Sequence, residues 1–240
     1  MKRALIVKGG WDGHEPDKIA VRFKRILEEL GLFVDVSDTL SAYDDLSYLK
    51  SLHIICPVWT DGELNGDRCK NIVNAVASGV GMGGVHGGMC DSFRTNTEWQ
   101  FLTGGNWVSH PGGIIEYAVN IRKDIDDDVI NGIDDFKVTS EQYYMHVDPA
   151  VKVLATTRFP IAQYFHISNG EVDMPVVWKK MWGNGRVFYT SLGHTDDVFE
   201  KSPESELIVK RGFKWAVEGK DYATENNITV DRFLSDSKNY

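Results

Sequence analysis

The sequence has few cysteines, a small share of basic residues and no long apolar run. Its three cysteines, Cys56, Cys69 and Cys90, form an odd set without the spacing of a disulfide framework. The apolar part of the N-terminus covers only residues 4–7, too short for a secretory signal, so we expect a reducing, cytoplasmic location. No stretch approaches the ~20 consecutive apolar residues that a bilayer-spanning helix needs, and no membrane association is expected.

Basic residues are outnumbered by acidic ones. The 240 residues include 26 Lys and Arg against 35 Asp and Glu, which gives a formal net charge of −9. Because binding to a phosphate backbone requires a basic surface, this charge argues against a nucleic-acid partner. The chain also lacks G-x-G-x-x-G after its first predicted strand, where it has Gly9-Gly10-Trp11-Asp12-Gly13 instead. The indole of Trp11 stands where a pyrophosphate would approach the backbone, which argues against a dehydrogenase.

Apolar runs and helical periods alternate through the first half of the chain. Short apolar runs predict strands over residues 3–8, 32–36, 52–58 and 80–85. Between them, apolar residues at the helical period predict helices over residues 15–30 and 65–77. Strands that alternate with helices of this length indicate a doubly wound, mostly parallel sheet.

The second half changes to strands without long helices between them. These strands are predicted over residues 117–121, 136–138, 151–156, 176–181 and 186–190. The turn Trp182-Gly183-Asn184-Gly185 joins the last two as a hairpin, and a final helix covers residues 203–217. We expect one domain over residues 1–220, with a β-rich insertion after the fourth strand, and a polar tail over residues 221–240.

The fourth predicted strand ends in Gly84-Val85-His86-Gly87-Gly88. This G-x-His-x-G spacing is typical of the sharp turn on which many α/β enzymes carry a nucleophilic Ser or Cys. A histidine there can act as a general base or a ligand, and a purely structural His86 that bonds a neighbouring loop is the alternative. Cys90 is a second candidate nucleophile, but it falls inside the expected first helical turn, where a cysteine is commonly a small buried hydrophobe.

Polar and aromatic residues follow the predicted parallel strands, at the edge where open α/β sheets bind ligands. The residues expected to bind substrate there are Trp11, His14, Trp59, Gly87, Gly88 and Asp196. His86, His110 and His194 are expected to transfer protons or to hold a divalent metal such as zinc. The carboxylate of such a metal site would come from Asp91, Glu141 or Asp196. Because no two histidines have the H-x-x-x-H spacing, both roles stay open.

The segment Glu141-Gln142-Tyr143-Tyr144 combines polar and aromatic side chains. Sugar hydroxyls need planar acceptors and an apolar sugar face needs an aromatic surface, so the mixture suits sugar recognition. We expect Glu141 to act in catalysis and Tyr144 to orient substrate hydroxyls. An edge strand with alternating exposed side chains explains the same pattern.

Several of these motifs occur in an order that resembles the ThuA-like (trehalose utilization) family. The resemblance rests on residues 84–88, on Gly104-Gly105 with Ser109-His110-Pro111-Gly112-Gly113, on residues 141–144 and on residues 185–194. It implies a flavodoxin-like, class I glutamine amidotransferase-like three-layer sandwich, and it implies bacterial sugar metabolism of trehalose-like disaccharides or their 3-keto derivatives. Amidotransferases place Cys at the centre of the turn, so His86 argues against glutamine hydrolysis.

Three hypotheses about function follow. The first is a carbohydrate-active enzyme, a hydrolase, lyase or isomerase, in which His86, His110 and His194 move a proton beside a sugar carbonyl. The second is a non-catalytic subunit that binds a sugar or a partner, and the third is an amidase that depends on Cys90. The expected partner is a small sugar, and seven tryptophans make a homo-oligomer plausible.

Overall fold

The structure, a computed structural model, describes residues 1–233, which form eleven β-strands and seven α-helices. The strands are β1 (Arg3–Gly10), β2 (Phe33–Ser37), β3 (Ile54–Thr60), β4 (Gly81–Val85), β5 (Gly105–Ser109), β6 (Ile114–Ile121), β7 (Phe136–Glu141), β8 (Tyr144–Val147), β9 (Lys152–Phe159), β10 (Val172–Trp182) and β11 (Gly185–Thr190). The helices are α1 (Pro16–Glu29), α2 (Leu46–Ser51), α3 (Gly66–Ala77), α4 (Gly87–Cys90), α5 (Thr97–Thr103), α6 (Asp197–Lys201) and α7 (Pro203–Glu225).

Nine strands form one sheet in the order β2-β1-β3-β4-β11-β10-β9-β6-β7. The pairs from β2 to β11 are parallel, whereas every pair beyond β11 is antiparallel. The strands β5 and β8 form a separate two-stranded ribbon. The predicted α/β fold is confirmed, and most of the β-rich second half extends the main sheet at one edge.

Helices cover both faces of the parallel part of this sheet. Alternate residues of β1 enter the two cores, Ala4 and Ile6 on one face and Leu5 and Val7 on the other. The first core packs α1 against α7, and the second receives buried residues of α3 and α5. Fully burying one large apolar side chain contributes roughly 1.5–3 kcal/mol, so both faces stabilise the predicted three-layer arrangement.

The elements predicted in the first half begin and end within two residues of those observed. Four short elements, α2, α5, α6 and β5, are not predicted from the sequence, and β8 is anticipated only by the alternative of an edge strand at residues 141–144. The helix α2 has only six residues, too few for a periodic pattern, and the Asp45 carboxylate caps it by accepting from the backbone N–H groups of Ser47 and Tyr48. The hairpin of β10 and β11 forms as predicted, with Trp182 paired to Gly185.

The predicted tail begins inside α7, because this helix continues past residue 217 to Glu225. Beyond the helix, the Asn184 side chain donates to the carbonyl of Thr229 at 3.0 Å and ties the chain to the β10–β11 turn. The rest of the predicted tail, residues 234–240, lies outside the described residues. Within residues 1–233, no helix combines the length and apolar character needed to cross a membrane.

The side chain of Asn65 caps α3 by accepting a hydrogen bond from the Arg68 backbone N–H at 2.8 Å. Replacing Asn65 by alanine is expected to lower the free energy of unfolding by about 0.5–2 kcal/mol, because this N–H loses its partner. Asn65→Asp keeps an acceptor at the same place and is the matched control. Urea unfolding measures both variants, and an unchanged midpoint for Asn65→Ala contradicts the capping role.

Candidate functional site

The sharp turn predicted at His86 is present where β4 ends. His86 has φ 45° and ψ −132°, a backbone conformation of the kind that costs a non-glycine residue of order 1–3 kcal/mol. Two hydrogen bonds hold it: the His86 N–H donates to the Thr190 carbonyl at 2.7 Å, and the Tyr189 hydroxyl donates to the His86 carbonyl at 2.9 Å. The turn thus fixes the imidazole among the loops that follow the neighbouring strands.

The glycine after His86 makes room for a second imidazole. A Cβ atom on Gly87 would lie 2.3 Å from ring atoms of His14, so only glycine leaves space for this ring. His14 lies in the short 3-10 helix Asp12–His14 after β1, and its Nδ1 is hydrogen-bonded to the Thr60 hydroxyl at the end of β3, at 2.8 Å. Residues at the ends of three neighbouring strands, β1, β3 and β4, therefore meet at one place.

Four imidazoles face a single oxygen of Glu141, the last residue of β7. The Oε2 atom lies 3.2 Å from His86 Nε2 and 3.3 Å from His194 Nδ1. His110 Nδ1 and His14 Nε2 follow at 3.5 Å and 3.7 Å. The side chains of His14, His86 and His194 are buried, whereas that of His110 is 36% exposed. The structure thus brings together all four predicted catalytic residues, with His14 as a further member.

The protonation of His86 is constrained by its second ring nitrogen. The Nδ1 atom lies 2.7 Å from the Ser191 carbonyl, which can only accept, so Nδ1 carries the proton. Burial lowers the pKa of His86 to about 3, so the imidazole is neutral and its Nε2 presents a lone pair. Burial alone raises the pKa of Glu141, but the imidazoles of His14, His194 and His86 outweigh it and hold that pKa well below its usual range. The lone pair of His86 Nε2 therefore faces the Glu141 carboxylate.

A cavity of about 350 Å³ opens above this cluster. Its volume lies within the roughly 300–1,000 Å³ typical of small-molecule sites. The lining residues are Trp11, His14, Thr60, Asp61, Asp91, Arg94, Trp107, His110, Glu141 and Tyr143. Asp91 was a candidate metal ligand, but its carboxylate binds the Arg94 guanidinium at 2.5 and 3.1 Å instead. Arg94 in turn lies over the Trp107 ring, 4.7 Å from its centroid.

Tyr143, and not the predicted Tyr144, lies at the site. The Tyr143 ring stacks on His86 with centroids 3.8 Å apart and an interplanar angle of 27°. The Tyr144 ring packs edge-on against Phe159, at 5.2 Å, outside the residues that line the cavity. The expected strand alternation fails here because Glu141, Gln142 and Tyr143 are consecutive buried residues.

Four other residues predicted to bind substrate do not line the cavity, and one of them, Gly87, instead leaves room for the His14 ring. The Trp59 ring packs over Gly9, where a Cβ atom would come within 2.5 Å of it. Gly88 packs against the backbone of β3. Both carboxylate oxygens of Asp196 bind the Arg22 guanidinium, at 2.5 and 2.8 Å, which also removes Asp196 from the metal candidates. Trp11 does line the cavity, with its ring edge-on to His14 at 4.7 Å.

Cys90 is not placed as a nucleophile. It is the last residue of the four-residue helix α4 and is 1% exposed. Burial raises the pKa of its thiol well above the ordinary value, so the reactive thiolate is disfavoured. The cavity lining does not include it. The structure therefore gives no support to chemistry that depends on Cys90.

Nothing in the sequence points to Arg94 and Trp107 as site residues. Arg94 follows the short helix α4 without any motif, and Trp107 lies on β5, a strand that was not predicted. A carboxylate three residues before an arginine, as in Asp91 and Arg94, is too common a spacing to have singled them out.

Comparisons with known proteins agree with this architecture. The profile of the ThuA family, described as trehalose utilisation, matches residues 3–216. A ThuA-like protein from Bacteroides uniformis shares 20% identity with a TM-score of 0.71, covering 90% of this chain and 91% of that one. A ThuA-like protein from Parabacteroides merdae gives 19% identity, a TM-score of 0.70 and coverage of 91% of both chains.

A more distant structure has the same fold. The glutaminase domain of CTPS from Trypanosoma brucei shares 11% identity with a TM-score of 0.53, covering 92% of this chain and 96% of that one. No curated protein matches the chain significantly.

Proposed function

This chain belongs to the ThuA family, described as trehalose utilisation, and from that premise we propose that it is an enzyme of carbohydrate metabolism. Its substrate is a small disaccharide or a 3-keto-sugar that binds in the cavity above Glu141. The observation that carries the proposal is the convergence of four imidazoles on one buried carboxylate at the base of this cavity. Imidazole and carboxylate groups are the side chains best suited to moving protons near neutral pH.

The lining of the cavity favours an uncharged sugar. The indoles of Trp11 and Trp107 offer flat apolar surfaces of the kind that pack against the C–H face of a sugar ring. The carboxylates of Asp61, Asp91 and Glu141 outnumber the single arginine, Arg94, so an anionic substrate is disfavoured. Carboxylates and a guanidinium are also suited to bind sugar hydroxyls.

His110 is the group we assign to proton transfer. It is the most exposed of the four histidines around Glu141, and it borders the cavity in which the substrate binds. Hydrolysis, elimination and isomerisation of a keto-sugar each require a proton to move beside a carbonyl, which a half-exposed imidazole next to a carboxylate can perform. We do not propose glutamine hydrolysis, because histidine occupies the centre of the turn and Cys90 is buried.

We place this activity in the cytoplasm. All three cysteines are free thiols and all three are buried, which suits a chain that needs no disulfide for its stability.

The proposal is tested by incubating the purified chain with trehalose, 3-keto-trehalose and 3-keto-glucosides and following product by chromatography. We expect turnover of at least one keto-sugar. Trp107→Ala is expected to raise KM about two- to tenfold with little change in kcat, if the lost contact is comparable to the roughly 0.5–1.5 kcal/mol that one aromatic pair contributes. Trp215→Ala, which removes an indole packed against Lys179 instead, is the control.

Sugar binding without turnover would identify a different function. If calorimetry detects a bound sugar but no product forms from any substrate, the chain is a non-catalytic sugar-binding subunit and the enzyme proposal is wrong. If neither binding nor turnover occurs, the cavity is not a sugar site.

A further inference from the structure

Four buried imidazole nitrogens around Glu141 lack a hydrogen-bonding arrangement that satisfies them. The Nε2 of His14, the Nδ1 of His194 and the Nδ1 of His110 are buried and have no hydrogen-bond partner. The Nε2 of His86 faces Glu141 Oε2, but the Ser191 carbonyl already fixes the ring proton on the opposite nitrogen. Leaving such groups unpaired in a buried site costs roughly 1–3 kcal/mol each, so this arrangement calls for a further group between them.

Three of these histidines, His14, His86 and His194, form a compact set with Glu141. One ligand atom from each of the four residues lies within 4.8 Å of the others. Two ligands bound at about 2.0–2.1 Å to a tetrahedral ion lie about 3.3 Å apart. Glu141 Oε2 is 3.2 Å from His86 Nε2, 3.3 Å from His194 Nδ1 and 3.7 Å from His14 Nε2, close to that separation.

We propose that this chain holds one divalent transition-metal ion, with zinc the best fit, through His14 Nε2, His86 Nε2, His194 Nδ1 and Glu141 Oε2. The inference deepens the proposed function, because the ion lies at the base of the sugar cavity. Four protein ligands complete a tetrahedral shell, so a bound ion would act as a Lewis acid on a sugar carbonyl or hydroxyl by accepting it as a fifth ligand from the cavity.

The type of donor decides which ion fits. Three imidazoles and one carboxylate suit zinc and its transition-metal neighbours, whereas calcium and magnesium prefer sites made of oxygen atoms. The groups behind the ligands support the same conclusion. The Ser191 carbonyl accepts from His86 Nδ1, and the Thr60 hydroxyl is bonded to His14 Nδ1, so both rings direct their free nitrogen toward Glu141. Metal-binding histidines almost always have such a second partner.

This ligand set differs from the one expected from the sequence in one member. His14 takes the place of His110, whose half-exposed ring borders the cavity and stays outside the compact set. His110 is thereby left free for the proton transfer assigned to it above. This assignment predicts opposite results for two single variants: His14→Ala should weaken metal binding, and His110→Ala should leave it unchanged.

The experiment uses the full chain without any substrate. After dialysis against a chelator, we expect isothermal titration with Zn²⁺ to give one ion per chain, and Co²⁺ to produce the visible absorption of a four- or five-coordinate site. His14→Ala and His194→Ala are expected to weaken Zn²⁺ binding by at least about 100-fold, because even the loss of a group behind a ligand costs 10- to 100-fold. His110→Ala and the exposed His146→Ala are expected to bind one ion as tightly as the wild type.

Two results would contradict the proposed metal site. If the wild type binds no stoichiometric ion, or if His14→Ala binds as tightly as the wild type, the proposed site is wrong. Circular dichroism of each variant separates a lost ligand from a lost fold, and Glu141→Gln provides a fourth ligand change with little change in volume. If the chain binds zinc but turns over no sugar, the metal site is supported and the proposed function is wrong. If it turns over a sugar but binds no stoichiometric zinc, the proposed function is supported and the metal site is wrong.

Discussion

Replacing Glu141 by glutamine is expected to lower kcat on a keto-sugar substrate by about 10²–10⁴-fold, the range typical of a lost acid–base or charge-stabilising group. Glutamine has nearly the same shape, but it is uncharged and presents an amide N–H₂ group in one of its two orientations. The oxygen that loses its charge, or is replaced by the amide nitrogen, is the one faced by His86, His194, His110 and His14. Steady-state kinetics with the purified variant measures the effect.

The matched control is Glu116→Gln. Glu116 lies on β6, the strand paired with β7, and its exposed carboxylate binds Lys137 at the surface. An exposed ion pair contributes about 0–1 kcal/mol and lies outside the cavity, so kcat should not change. If Glu141→Gln keeps wild-type kcat, Glu141 is a structural residue and the convergence of imidazoles on it has no catalytic meaning.

The sequence was sufficient for the parallel half of the fold. Each of its strands is a short apolar run, and α1 presents Ile19, Phe23 and Ile26 at the helical period, so burial and pattern agree. The place of the second-half strands in the sheet could not be predicted, since β6 pairs with β9 and β7 with β6 only after long loops have returned. Such pairings depend on the whole chain and leave no local pattern.

Part of the candidate site could also be predicted. Open α/β sheets bind ligands at the carboxyl ends of their parallel strands, and applying this rule needs only the order of the elements. The sequence points to His86, His110, His194 and Glu141, and these four side chains lie close together in the structure. The choice of Tyr144 over Tyr143 failed for a local reason: the chain leaves β7 at Glu141 and enters β8 at Tyr144, so alternation does not apply between them. The proximity of His14 to Glu141 depends on the empty space beside Gly87, which no spacing rule predicts.

The second large effect is expected from a substitution at Gly87, beside this empty space. The substitution adds one methyl group and removes no polar atom. In Gly87→Ala, the new Cβ would lie 2.3 Å from the His14 ring and 2.9 Å from the Thr60 hydroxyl oxygen. The ring has to leave its place, and a displacement of about 1 Å in a catalytic group can lower the rate about 100-fold. We expect kcat/KM on a keto-sugar to fall by at least about 100-fold.

The control for the added methyl group is Gly66→Ala at the start of α3, where no heavy atom lies within 4 Å of the new Cβ. Overpacking typically costs 1–3 kcal/mol, so Gly87→Ala is also expected to unfold at lower urea concentration than Gly66→Ala.

The double variant Gly87→Ala/His14→Ala identifies the cause. Removing the imidazole relieves the clash, so stability should return toward that of His14→Ala, while activity stays low because the ring is still absent. The two substitutions are therefore expected to be non-additive in stability, as contacting residues are. If Gly87→Ala retains full activity, or if the double variant is no more stable than the sum of the single ones predicts, the close contact between Gly87 and His14 does not position the imidazole, and His14 belongs neither to the metal site nor to the catalytic cluster.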